Sequence, residues 1–158
     1  MDLALIDKFA ADAPRLRQSI AGLSPAELRS FPIPGTWSIQ QIVLHMMDSD
    51  LIGCDRMKRV AAEDRPPTLI GYDETAFARE LCYHELDPQL ACDVFEINRR
   101  LTAEVLRRLP DRAFSKTGHH NEHGAMSLTE LLATYVDHLE HHLKFIDRKR
   151  KLIEQSRG

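Results

Sequence analysis

Three serines in this chain start helices in the same way. Ser24, Ser38 and Ser127 are each followed three residues later by Glu27, Gln41 or Glu130, at the head of an apolar periodic stretch. This is the capping-box arrangement, in which the serine oxygen accepts from the N3 backbone N–H and the N3 side chain reaches back to the serine N–H. Pro25 follows Ser24 and Pro88 follows Asp87, both at the first helical position, where a missing N–H is harmless. Trp37 and Ile42 hold the two places of a hydrophobic staple around Ser38.

These signals predict a first helix from about Asp2 to Ala21 and a short turn after Ser24. A second long helix runs from Ser38 to about Ala62, where EDRPPT ends it, and a shorter piece covers about Asp73 to Tyr83. A third long helix runs from Asp87 to about Leu109, and the last from Ser127 to about Ile153. No stretch alternates with period two between hairpin turns. The expected fold is all-α: a four-helix bundle with short extra helical turns, forming one domain over residues 1–158.

Composition narrows the classes of partner. Hydrophobic residues at 43% are enough for a packed core, and a formal net charge of −3 argues against nucleic acid. The basic run Arg148, Lys149, Arg150, Lys151 reads as a solvated helix end, where cations suit the macrodipole. No window is long and apolar enough to span a membrane, and the first residues lack the basic and apolar blocks of a signal peptide. Cys54, Cys82 and Cys92 form no CxxC pair and read as reduced thiols in a cytoplasmic protein.

The residues with chemistry are histidines. In YVDHLEHHLKFI, residues 135–146, His138 and His142 continue the stripe of Leu131, Tyr135 and Ile146, while His141 aligns with Thr134, Asp137 and Lys144 on the wet face. An inward i, i+4 pair is either a hydrogen-bonded core element or a pair of metal ligands. His45, in WSIQQIVLHMMDSD, lies at the edge of a second inward stripe. One divalent cation would satisfy all three rings, and three protein ligands with an open position is the pattern of a catalytic site. A zincin would need Glu at position 139, which is Leu, and a carboxylate-bridged di-iron bundle would need Glu-x-x-His, which is absent.

Other positions carry weaker signals. His119, His120 and His123 lie in the loop PDRAFSKTGHHNEHGAM, which reads as polar linker although one of them can approach an open metal position. His84 reads as a surface or capping residue. Asp48, one turn beyond His45, is the best placed carboxylate for a general base, with helix-surface acid as the competing reading. Tyr135 is either a core tyrosine or a donor to a substrate oxygen. No glutamate is in position to activate water beside the metal. A pocket at the site is expected between the histidine loop, Asp48 and Ser49, and the start of the last helix, partly apolar and with few charges.

Taken together, three segments are similar to one family. Trp37 to His45 (W-S-I-x-x-I-x-x-H), His120 to Leu128 (H-x-x-x-G-x-x-[ST]-L) and His138 to Ile146 (H-x-x-x-H-L-x-x-I) resemble the DinB-like superfamily, particularly its YfiT-like branch. The resemblance covers nearly the whole chain. It implies a four-helix bundle, commonly a homodimer, with a divalent metal on His45, His138 and His142. It further implies a small-molecule substrate and either metal-dependent hydrolysis or transfer of a low-molecular-weight thiol. Zinc or nickel is the expected metal, with iron or manganese next, because all accept imidazole. The alternatives are a non-catalytic, stress-related bundle that binds metal or ligand, and a metal-free helical oligomer with core histidines.

Overall fold

Each predicted cap forms. The computed structural model describes residues 3–157, and in it Ser24, Ser38 and Ser127 all make complete capping boxes. They open α3 (Pro25–Arg29), α4 (Ile39–Ala62) and α7 (Leu128–Ser156). Asp73 caps α5 (Glu74–Glu80), its Oδ1 accepting from the Ala76 N–H at 2.8 Å, and Asp87 caps α6 (Pro88–Arg107) in the same manner.

The first helix departs from expectation. It is two helices, α1 (Leu3–Ala11) and α2 (Pro14–Ile20), separated at Asp12 and Ala13. Pro14 has no N–H to continue the ladder and its ring crowds the carbonyl one turn back, so a helix must restart there. Asp2, the expected start, lies outside the described residues.

The second departure is a small sheet. The loop expected to be irregular contains a 3₁₀ turn (Asp111–Ser115) and a hairpin of β2 (Thr117–His120) and β3 (Gly124–Ser127). β1 (Thr68–Leu69) adds in parallel to β2, pairing Leu69 with His120. Gly124 turns the hairpin at φ +75°, and Gly118 lets β2 lie on Val60 and Leu69, where a Cβ would come within 2.9 Å of both side chains. Alternation along β2 sends His120 inward and His119 outward.

Two apolar clusters fill the bundle. One includes Ile42, Met46, Leu139 and Ile146; the other includes Met57, Leu132, Tyr135 and Val136. Position 138 on α7 therefore falls where the clusters meet. Arg99 of α6 is fully buried and ties four helices together. Its Nε donates to Asp50 on α4 at 2.8 Å and its Nη2 to the Tyr135 carbonyl on α7 at 2.7 Å, and its guanidinium stacks on Phe9 of α1. Gly53 lets α4 and α7 approach closely: a Cβ there would sit 2.2 Å from the Tyr135 ring.

One charged residue is misplaced by the sequence reading. Lys149 is not part of a solvated helix end; it is 1% exposed, on the inward stripe of Ile146 and Ile153. Among the described residues no helix is long and apolar enough to cross a membrane.

Candidate metal centre

His45 comes from the second turn of α4, and His138 and His142 from consecutive turns of α7. Their ring nitrogens converge, one from each residue, all within 4.8 Å of one another. The ring centroids of His138 and His142 are 4.5 Å apart, and His45 lies 4.8 Å from His142. The Trp37 indole packs on His45 at 5.0 Å, fixing its plane. His141 is exposed and outside the converging group, as its helical phase predicts, its ring standing 5.2 Å from that of His142.

The donor set fits a metal on two counts. His45 Nε2 and His138 Nε2 are 3.3 Å apart. Two imidazole nitrogens on one tetrahedral ion at 2.0–2.1 Å stand about 3.3–3.4 Å from each other. Burial, reinforced by the neighbouring rings, pushes all three imidazoles down to about 3, so their lone pairs stay free of protons across the neutral range. His142 Nδ1 is in addition buried without a hydrogen-bond partner, an arrangement that costs free energy unless something fills it.

A carboxylate that the sequence reading missed stands beside this cluster. Glu74 Oε2, in the first turn of α5, is 3.7 Å from His45 Nε2 and is largely exposed. Local sequence carries one hint, the Asp73 cap that begins a helix at Glu74. Its approach to His45 depends on how the chain returns from α4 through β1. Asp48 is placed differently from expectation. It is not in the converging group, and its carboxylate accepts from the Tyr83 hydroxyl.

Glu74 also borders a polar pocket of about 190 Å³. The histidine loop and the start of α7 do form its walls, through His120, His123, Leu131 and Tyr135, but Asp48 and Ser49 do not. It is also more charged than expected, since Arg56, Glu74 and Glu122 all face it. His120 is buried rather than loose, and its Nδ1 accepts from the Glu122 N–H at 3.2 Å, which places the proton of the neutral ring on Nε2. Arg56 donates to the Tyr135 hydroxyl at 2.9 Å, leaving the tyrosine proton free for another acceptor.

This geometry has relatives. The family model described as the DinB superfamily matches residues 8–146. The chain belongs to that superfamily. A Bacillus licheniformis relative, provisionally named a metal-dependent hydrolase, is 30% identical over 151 residues, covering 92% of this chain and 85% of its own. An Oceanobacillus iheyensis relative with the same provisional name is 28% identical over 136 residues, 85% of this chain and 78% of its own. The solved YfiT of Bacillus subtilis, described as a provisional metal-dependent hydrolase with an unusual four-helix-bundle topology, superposes with a TM-score of 0.88. That match spans 96% of this chain and 86% of YfiT at 23% identity, and it establishes the bundle fold. A mycothiol-dependent maleylpyruvate isomerase shares the fold at a TM-score of 0.70 and 13% identity, over 90% of this chain and 60% of its own.

Proposed function

We propose that this protein is a metal-dependent enzyme in which His45, His138 and His142 hold one divalent cation and Glu74 accepts a proton from the attacking nucleophile. The observation that carries the reading is the Glu74 carboxylate 3.7 Å from His45 Nε2, beside one buried and two half-buried neutral imidazoles. A divalent cation bound there supplies charge that makes a water or thiol acidic near neutral pH. Glu74 is exposed enough to exchange its proton with solvent and close enough to the rings to serve as the base. Asp48, committed to Tyr83, leaves that role to it and holds Tyr83 in position. In the polar pocket Arg56, His120 and the Tyr135 hydroxyl orient the substrate.

Hydrolysis is the first reading, because a carboxylate base suits an attacking water and relatives carry the hydrolase name. Thiol transfer is the second, supported by the shared fold of the mycothiol-dependent isomerase. Tag-free protein is analysed for metal, then assayed with ester and amide substrates and with low-molecular-weight thiols plus an electrophile. Glu74→Gln is expected to lower turnover about 10²–10⁴-fold with metal content unchanged. Unchanged turnover in that variant removes Glu74 from the mechanism. Metal-loaded wild type that turns over nothing on either panel favours a binding module.

A further inference from the structure

His142 is shared between the ring cluster and a second opening in the bundle. This cleft, of about 280 Å³, has apolar walls from Ile33, Trp37, Ile42 and Phe145. Thr36, Arg148 and Lys149 also line it. His142 and Lys149 are two helical turns apart on the same face of α7, so they mark different levels of the cleft.

Lys149 is the unusual member. At 1% exposure its ammonium donates to the Thr36 hydroxyl, which uses one of three N–H groups. Its neighbours Lys151 and Arg150 pair with Asp147 and Glu154 at 2.7 and 3.7 Å. Among the described residues no carboxylate pairs with Lys149. Arg148, at the exposed rim, adds a second cation rather than a counter-charge. A buried cation without an anion is costly, and burial accordingly pulls the Lys149 amine below its usual range. An apolar cleft with an unmatched cation in its wall is complementary to a molecule with the opposite arrangement.

We propose that this cleft binds a small amphipathic acid, its carboxylate on Lys149, its apolar body along Trp37 and Phe145, and its far end toward His142. That the far end is the reacting end rests on the metal-enzyme reading above; the binding itself does not. The acid needs no metal to be recognised.

Trp37 is the only tryptophan in the chain and stands between this cleft and the His45 ring, so with metal removed a change in its emission reports on the cleft. Chelator-treated full-length protein is titrated with octanoate, 1-octanol and octylamine while that emission is followed. Octanoate is expected to give a saturable change and to bind about ten-fold or more tightly than the alcohol, with the amine weakest. Lys149→Met is expected to remove the advantage of the acid while leaving the alcohol unchanged. Equal binding of acid and alcohol to wild type overturns the proposal without recourse to any variant, and so does the absence of a saturable response to octanoate. Undiminished octanoate binding in a folded Lys149→Met protein also overturns it. Acid binding in a protein without metal-dependent turnover leaves this proposal standing and the enzyme reading fallen; turnover without acid binding does the reverse.

Discussion

His141 and His142 are adjacent in the chain, and only one of them faces the other two converging rings. This difference sets a test at the scale of single residues. His142→Ala is expected to lose bound metal, and His141→Ala to retain it, as measured by elemental analysis. A ligand that binds only the native state at about a hundred times its Kd adds roughly 2.7 kcal/mol, or about 5–10 °C in a chain of this size. Chelation should lower the melting temperature of wild type by that order and leave His142→Ala unmoved. Equal melting of wild type with and without chelator would sink the coupling. The three histidines were legible because helical phase alone selects them. The same rule applied one turn further would have found Lys149, three positions after Ile146; its basic neighbours hid it. Glu74 was not legible, since its approach to His45 is tertiary and no spacing within α5 encodes it.

At the scale of elements, close approach and capping decide what can change. Gly53→Ala puts a methyl group into the Tyr135 ring, where α4 lies against α7, and overpacking of this kind costs about 1–3 kcal/mol. The variant is expected to melt lower, and an unchanged melting temperature would mean that Tyr135 yields freely. Glu27 links α3 to the end of α7: it caps Ser24 and accepts from Arg157 at 2.6 Å, bonds that pull its carboxyl down to about 2. A depressed carboxyl stabilises the fold above its unfolded value near 4.5 and loses that contribution as pH falls through about 2. Glu27→Gln should therefore melt below wild type at pH 7, the gap closing between about pH 4.5 and 2. A gap that persists at pH 2 would assign the effect to something other than charge. The capped helices were predictable because caps are local. The sheet was not, because β2 is four residues of Thr, Gly and His with no β-branched or aromatic run to reveal its alternation.

For the whole molecule, one face of the bundle is left uncovered. Leu90, Ile97 and Leu101 lie along one side of α6 at 61%, 61% and 59% exposure, a large apolar stripe for a lone domain. We propose that it is the interface of a homodimer. Ile97→Glu together with Leu101→Glu should shift the sedimentation of a dimer to that of a monomer without loss of helicity; sedimentation identical to wild type would place any interface elsewhere. The bundle itself was legible from four long apolar stripes. Its central tie was not: Arg99 looks like one more surface cation on α6 until Asp50, Phe9 and the Tyr135 carbonyl are seen around it.

The longest helix has a consequence for selection by size. α7 is one uninterrupted run of 29 residues, roughly 43 Å of rigid rod at about 1.5 Å per residue. The seven steps from His142 to Lys149 thus separate the two ends of the cleft by about 10 Å, a distance written as a residue count. A pocket built on loops can stretch to accept a longer guest, but a continuous helix cannot. A molecule lying along this face would be gauged against a fixed ruler, and lengthening the span from His142 to Lys149 requires inserting turns into the helix.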